Sequence, residues 1–298
     1  MFIYIPDIET SFQGFHSVAR LYHDGVNSPE ESIVFDFSRA KRIDSNMCSC
    51  LGAVIELLRC KSGKNLVVQP GDQSRLNLTL SKNGFYKAFV GKKLLDDPYE
   101  TTIDYMKFSI SKILGFREYI DAFFGKNNKA MPRMSDRLLE RFRKSLGEVF
   151  ENAKQHSESA LGFFACGQLF PSENRLAFTM TDLGIGFEEH IAKHTGKRLK
   201  AQESIHWALA GENSARPRSE GKSGGLGLKL IRDFIQRNGG GMYIVSDRGY
   251  FEHPARGGER FQSLDIPFPG TVVTLDIRTD DEHVYDERDF EITEKNIF

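Results

Sequence analysis

Short apolar runs flank one helical pattern in the first third of the chain. The runs at 32–37 and 65–69 are rich in β-branched and aromatic residues, which favours strands. Between them, apolar residues recur at helical spacing over 47–61. A strand, a helix and a second strand in this order predict two parallel strands joined by a crossover. A short strand at 2–5 and a helical connection at 76–90 complete the prediction for this region.

The segment 96–131 follows no single period. Apolar and polar residues are mixed over 103–124, where we predict a connecting helix. Residues 125–129 combine glycine, asparagine and lysine, and Pro132 follows shortly after them. These residue types interrupt regular structure, so the pattern predicts a hinge and a domain boundary near residue 130.

The C-terminal half opens with a strongly amphipathic pattern. Apolar residues recur at helical spacing over 136–156, which predicts a long helix. Glu148 and Asn152 are four residues apart on this helix, so their side chains share one face. Alternating patterns at 161–169 and 175–181 predict two strands. The pattern ends with a helix at 228–235 and strands at 242–246 and 271–277, and we interpret 247–269 as an extra loop or a partner surface.

Two glycine-rich motifs interrupt these elements. Asp182-Leu-Gly184-Ile-Gly186 follows a predicted strand, and a carboxylate beside glycines suits the close approach of a flat ligand. The motif Gly221-Lys-Ser-Gly-Gly-Leu-Gly227-Leu228 opens a predicted helix. Free backbone N–H groups at such a helix start can bind phosphate. The second motif matches neither the Walker A pattern nor a dinucleotide-binding fingerprint.

Composition narrows the class of protein. The chain has 298 residues, of which 40% are hydrophobic and 27% are charged, as is typical of a folded globular protein. This length predicts two domains. The net charge is −1, yet residues 279–298 hold eight acidic residues against two basic ones. We interpret this segment as a solvated acidic tail, and the mildly basic remainder has no strong signal for nucleic-acid binding.

The sequence also predicts a compartment. It contains no run of about 18 apolar residues, so we expect no membrane-spanning helix and no membrane partner. The first residues lack the basic and apolar regions of a secretory signal. The cysteines, which are Cys48, Cys50, Cys60 and Cys166, form no CxxC pair, so free thiols are expected. These features together predict a cytoplasmic protein.

The first 95 residues resemble a STAS domain, the small α/β fold of anti-sigma-factor antagonists. The resemblance is carried by Val34-Phe-Asp-Phe37, by Ile43-Asp44-Ser45 and by Leu66-Val-Val68 around the predicted helix. In that family a serine at the position of Ser45 accepts phosphate from a partner kinase, which makes Ser45 a candidate phosphoacceptor. The alternative is that Asp44 and Ser45 only cap the helix. The family usually continues with Ser/Thr-Gly-Leu, whereas here Asn46-Met-Cys48 follows.

Residues 132–278 resemble the GHKL superfamily, which includes DNA gyrase and histidine kinases. Four motifs occur in its order: Glu-x-x-x-Asn on a helix, Asp-x-Gly-x-Gly, a glycine-rich loop with Gly-x-Gly-Leu, and Gly-Thr before the last strand. The resemblance implies a Bergerat-fold α/β sandwich, with a mixed sheet and helices on one face. It also implies ATP between these helices and a lid over 187–223.

The resemblance assigns roles by position. Asn152 matches the asparagine that binds Mg²⁺, and Glu148 matches the general base. Asp182 matches the carboxylate that accepts a hydrogen bond from the adenine amino group, with Thr271 supporting that contact through water. The positions implied to admit the nucleotide or wrap its phosphates are Gly184, Gly186, Lys222, Gly224, Gly225 and Gly227, with Leu228 starting the helix behind them. Arg216 and Arg218 are second choices to Lys222 for the γ-phosphate, and His156 is either a packing residue or a feature shared with the serine kinases of this superfamily.

Three functions are compatible with this organisation of a STAS-like domain (1–95), a connecting helix and hinge (96–131), an ATP-binding domain (132–278) and a tail (279–298). The first is an Mg-ATP-hydrolysing switch that changes lid and partner or dimer contacts, with the STAS-like domain for regulation or docking. The second is a serine/threonine kinase of the anti-sigma-factor type that phosphorylates Ser45 or a partner. The third is a histidine-kinase-like signalling protein. All three imply ATP, Mg²⁺ and a protein partner or a homodimer.

Overall fold

The computed structural model describes residues 1–92, 94–109, 113–125, 131–156, 161–210 and 226–290. Helices and strands are interleaved along the chain, which confirms the mixed α/β class. Within these residues, no helix is both long and apolar enough to cross a membrane. The four cysteines are free thiols, and only Cys60 is exposed among them.

The N-terminal lobe is a three-stranded parallel sheet with helices. Its elements are β1 (Phe2–Tyr4), α1 (Phe12–Asn27), β2 (Ser32–Asp36), α2 (Cys48–Ser62), β3 (Asn65–Gln69), α3 (Ser74–Lys82) and α4 (Phe85–Val90). The strand order is β1-β2-β3 with both pairs parallel, so the predicted crossover is confirmed. The prediction lacks α1, whose start is capped by Ser11 accepting from the N–H of Gly14 at 3.2 Å.

The connecting helix predicted over 103–124 is present only in its second half, and most of the predicted hinge at 125–129 lies outside the described residues. The segment 96–131 contains a strand, β4 (Thr102–Phe108), and a helix, α5 (Ile113–Phe123). β4 pairs antiparallel with a strand of the C-terminal half and forms the edge of its sheet. Buried and exposed side chains alternate along only part of β4, because its pairing with the neighbouring strand shifts register between Ile103 and Met106. This irregularity explains why the pattern did not predict a strand.

The C-terminal half is built around one antiparallel sheet. Its elements are β5 (Arg133–Met134), α6 (Asp136–His156), β6 (Phe163–Phe170), β7 (Arg175–Asp182), α7 (Gly186–Thr195), α8 (Ala201–Ala210), α9 (Leu226–Asn238), β8 (Gly241–His253), β9 (Arg260–Arg278) and β10 (Val284–Tyr285). The order of the five-stranded sheet is β4-β6-β7-β9-β8, and every neighbouring pair in it is antiparallel. The resemblance implied a mixed sheet, and this prediction is wrong for the strands that the structure describes.

The two faces of this sheet bury different side chains. Phe178 and Met180 of β7 join the apolar core formed with α5, α6 and α9, and we call this side the helix face. Phe164 and Cys166 of β6 join the core of the N-terminal lobe, and we call this side the lobe face. Because side chains alternate along a strand, the central strands are covered on both sides.

Hydroxyl groups on the lobe face form hydrogen bonds with the N-terminal lobe. The Asn46 side-chain amide donates to the hydroxyls of Thr10 and Thr179, both at 2.9 Å. Ser49, at the start of α2, donates to the carbonyl of Phe164 at 3.0 Å and lies 2.8 Å from the hydroxyl of Thr181. The lobes are therefore joined by a buried polar network as well as by apolar contact.

Residues 247–269 form an arm rather than a loop. β8 and β9 stay paired along it, with Gly249 opposite Ser263 and Phe251 opposite Phe261. Tyr250 is fully buried, and its ring lies 5.1 Å from that of Phe12 on α1. The arm thus extends the contact between the sheet and the N-terminal lobe.

The acidic segment after residue 278 is not simply a solvated tail. Val284 of β10 pairs in parallel with Arg133 of β5. Tyr285 is 2% exposed, and its ring packs 5.3 Å from that of Phe234 on α9. Residues 279–290 therefore fold onto the helices of the C-terminal half, while 291–298 lie outside the described residues.

We expect Asn46→Ala to lower the free energy of unfolding by about 2 kcal/mol, because it removes both hydrogen bonds of a fully buried amide. Denaturant unfolding of the whole chain measures this change. The matched control is Asn65→Ala at the exposed start of β3, with an expected change within about 0.5 kcal/mol. An equal, small effect of both variants would show that the network does not hold the lobes together.

Candidate functional site

Three polar side chains lie in one row across the end of the sheet. Asp182, the last residue of β7, is paired with Thr271 of β9, and Thr271 is paired with Ser246 of β8. Met180 and Ile244, two residues before Asp182 and Ser246, belong to the core of the helix face. Because side chains alternate along a strand, the row also lies on the helix face. This face packs against α6 and α9, which carry other predicted site residues.

The environment of Asp182 changes its acidity. Burial raises the pKa of Asp182 to about 7, and a hydrogen bond from the backbone N–H of Gly184, at 2.9 Å, opposes this rise. The carboxyl group consequently titrates near neutral pH. When ionised, it is a pure acceptor with oxygen lone pairs still available for a ligand donor.

Two glycines allow the backbone to pass close to this row. Gly186 has φ of +72°, and a Cβ there would lie 3.0 Å from the Ser246 hydroxyl oxygen. Gly270 has φ of +150°, and a Cβ there would lie 2.1 Å from the carbonyl oxygen of Asp182. A larger residue at either position would displace the row or the start of α7.

A second group of predicted site residues lies where helices α6 and α9 meet. A Cβ at Gly227 would lie 2.7 Å from a carboxylate oxygen of Glu148 and 3.3 Å from the carbonyl oxygen of Ser145. Leu228, the next residue, is 6% exposed within the core of the helix face. Glycine at position 227 thus lets the start of α9 lie directly against the Glu148 side chain.

An aromatic contact connects α6 to β6, the strand next to Asp182. Phe150 lies between Glu148 and Asn152 in sequence, and its ring packs 5.0 Å from that of Phe163. Phe163 is the register partner of Asp182 on β6. Asn152 is half-buried one turn after Glu148. The contact between Phe150 and Phe163 therefore places the part of α6 that carries Glu148 and Asn152 at the end of the sheet where Asp182 lies.

Several predicted residues fall outside the described part of the chain. Lys222, Gly224 and Gly225 lie in 211–225, together with Arg216 and Arg218, and the side chain of His156 is also not described. The described part of the predicted lid comprises α7 and α8. Helix α8 packs on the arm, since a Cβ at Gly249 would lie 2.8 Å from Ile205.

The donor atoms near Glu148 suit a shared rather than a wholly protein-bound metal ion. Among the described residues there is no group of three or more His, Cys, Asp or Glu side chains that could hold a metal. Mg²⁺ commonly takes only one or two protein oxygen ligands together with substrate phosphates. A carboxamide oxygen at Asn152 fits this kind of site, and the Glu148 carboxylate, one helical turn earlier, keeps the role of the predicted general base.

Ser45 is placed where a kinase cannot reach it. Its side chain is fully buried, and its hydroxyl accepts a hydrogen bond from the Asn83 side-chain amide at 2.7 Å. Its backbone N–H donates to the side-chain oxygen of Gln168 on β6 at 2.6 Å. Phosphorylation of Ser45 would require the N-terminal lobe to move away from the sheet, and the role of Ser45 as a phosphoacceptor stays a prediction.

One residue of the row is missing from the sequence prediction. Ser246 ends the predicted strand at 242–246 and belongs to none of the four motifs. It is 2% exposed and lies 3.1 Å from the Thr271 hydroxyl. Only the register of β8 against β9 brings it to the site, and the sequence carries no signal for that register.

Comparisons with known proteins do not assign a family to this site. The sequence matches no protein-family model, and no curated protein matches it.

Proposed function

We propose that this chain binds Mg-ATP on the helix face, with adenine at Asp182 and the phosphates between α6 and the start of α9. Hydrolysis of ATP would then switch the lid, and a protein partner or a second copy would respond. The observation that carries this proposal is the pairing of Asp182 with Thr271 in one row on the sheet face that packs against α6 and α9, where Glu148 lies against Gly227. These four residues are separated by up to 123 positions in sequence.

Each described residue has a task in this proposal. The Asp182 carboxylate accepts from the adenine amino group, and Thr271 provides a hydroxyl beside it. Asn152 would hold Mg²⁺ together with the phosphates, and the ion would supply positive charge against them. Glu148 accepts a proton from the attacking water as a general base. Its contact with Gly227 keeps the carboxylate beside the first turn of α9.

The N-terminal lobe is suited to the regulatory role in this proposal. Asp182 lies between Thr181, which is hydrogen-bonded to Ser49, and Leu183, which is buried in the core of the N-terminal lobe. A movement of Asp182 on nucleotide binding would therefore strain the contact between lobes. This arrangement supports a STAS-like lobe that responds to the nucleotide.

A protein kinase is the second candidate. The same base could deprotonate a serine hydroxyl instead of water. The burial of Ser45 favours a serine on another protein as the substrate over Ser45 itself. A histidine-kinase-like activity is a weaker alternative, because the sequence shows no phosphoacceptor helix of the His-Glu-x-x-x-Pro kind.

Glu148→Gln should reduce phosphate release from Mg-ATP by at least about 100-fold while ATP still binds, because the amide cannot accept the proton. Steady-state phosphate release and equilibrium binding on the full chain measure the two effects. The control is Glu140→Gln, an exposed carboxylate on the same helix, which should hydrolyse ATP at the wild-type rate. Equal rates in both variants would remove Glu148 from the mechanism.

The affinity for ATP should rise about tenfold between pH 6 and pH 8, because a carboxyl with a pKa of about 7 changes from mostly protonated to mostly ionised over this range. Only the ionised form is a pure acceptor for the adenine amino group. Asp182→Asn should bind more weakly and lose this added pH dependence. Comparing the two proteins at each pH cancels the titration of the nucleotide itself, and parallel pH profiles would contradict the assignment.

The fate of the γ-phosphate separates the two candidate functions. With γ-labelled ATP and Mg²⁺, the switch predicts free phosphate and no label on the chain, because Ser45 is buried. Mass spectrometry and autoradiography of the wild-type chain, beside Ser45→Ala, measure both products. Label that appears on the wild type and disappears in Ser45→Ala would favour the kinase and would show that the lobes separate.

A further inference from the structure

Two cysteine thiols come together where the N-terminal lobe contacts the sheet. Cys48 begins α2 of the N-terminal lobe, and Cys166 lies on the lobe face of β6. The side-chain nitrogen of Asn83 lies 3.3 Å from the Cys48 sulfur and 3.8 Å from the Cys166 sulfur. One amide nitrogen therefore contacts two thiols that belong to different lobes.

The other cysteines are placed differently. Cys50 is also fully buried on α2, but its thiol donates to the carbonyl of Met47 within the same lobe at 3.2 Å. Cys60 is exposed in the last turns of α2. Among the four cysteines, the contact around Asn83 is therefore specific to Cys48 and Cys166.

The sulfurs lie among polar groups. The Ser45 hydroxyl lies 3.8 Å from the Cys166 sulfur, and the Cys166 thiol also lies 3.4 Å from the carbonyl of Ile103, to which it donates. The Asn83 amide is a donor that can stabilise negative charge on either sulfur. This matters because the thiolate, not the thiol, is the form that reacts with an oxidant.

We propose that Cys48 and Cys166 are an oxidation site at which hydrogen peroxide forms a disulfide that locks the N-terminal lobe onto the sheet. In the first step one thiol attacks a peroxide oxygen, the O–O bond breaks, and a sulfenic acid and water form. In the second step the other thiol attacks the sulfenic sulfur, the S–S bond forms, and a second water leaves. The two sulfurs together lose two electrons, and the peroxide gains them. This inference does not depend on the binding of ATP.

Burial determines which oxidant can react and how fast. Neither sulfur is exposed, so a bulky disulfide oxidant cannot reach them while the lobes are in contact. Hydrogen peroxide is little larger than water and can enter through brief local openings. Burial raises the pKa of the Cys166 thiol, and the adjacent Cys48 thiol raises it further. We therefore expect slow oxidation at neutral pH that becomes faster as the pH rises.

The test uses the full chain with Cys60→Ser, so that the exposed thiol cannot react. After treatment with hydrogen peroxide, the protein is denatured, alkylated and digested, and its peptides are mapped by mass. We expect a linked peptide pair that contains Cys48 and Cys166, and a chain lighter by two hydrogen atoms. The melting temperature should rise by about 5 °C or more, because the link closes a long loop of the unfolded chain. A reducing agent should reverse both changes.

The matched control is Cys50→Ser, which removes a thiol that is equally buried on the same helix. It should still form the link, whereas Cys48→Ser and Cys166→Ser should not. The same oxidation in denaturant separates a property of the fold from random pairing, and only the folded chain should yield this pair selectively. Thiols that persist, oxidation that ends at sulfinic acids, or a link to Cys50 in the folded chain would each overturn the inference. None of these outcomes bears on the proposed ATP site.

Discussion

β7 is covered on both faces, by helices on one side and by the N-terminal lobe on the other, and both contacts must form together. On the helix face, Phe178 and Met180 pack against apolar residues of the helices. On the lobe face, the hydroxyls of Thr179 and Thr181 are fully buried and need partners. Asn46 and Ser49 supply them. A β7 strand without the N-terminal lobe would expose apolar surface and leave these hydroxyls to water, so the two lobes form one unit.

This constraint also places the candidate site next to the contact between lobes. β7 contains Thr181, whose buried hydroxyl needs a partner on the lobe face, and β7 ends one residue later at Asp182. Desolvation raises the pKa of the Asp182 carboxyl to about 7. The two residues point to opposite faces, one towards the N-terminal lobe and one towards the helices. A ligand bound at Asp182, as proposed, would therefore act one residue from the hydrogen bond between Thr181 and Ser49 of the N-terminal lobe. No long pathway is needed for the proposed regulation.

Local pattern was sufficient to predict much of the fold. The amphipathic period predicted α6, and β-branched and aromatic runs predicted β2, β3 and the central strands. The pattern failed at β4, where the register shift disturbs the alternation, and at the segment after residue 278, where Tyr285 is buried only through contact with α9. It also could not foresee that the start of α2 lies on the sheet. That contact buries Ser45 between the N-terminal lobe and the sheet.

For the site, spacing predicted residues but not their arrangement. Glu148 and Asn152 share a helix face because they are four residues apart. The pairing of Asp182 with Thr271 and of Thr271 with Ser246 depends on strand register, which is set by the whole sheet. Ser246 therefore became visible only in three dimensions.

The most direct test of this account is a crystal structure of the full chain with Mg²⁺ and a non-hydrolysable ATP analogue. We expect the adenine amino group within hydrogen-bond distance of the Asp182 carboxylate, with the phosphates beside Glu148 and the start of α9. A nucleotide bound elsewhere, or a row of Asp182, Thr271 and Ser246 that contacts no base, would contradict it.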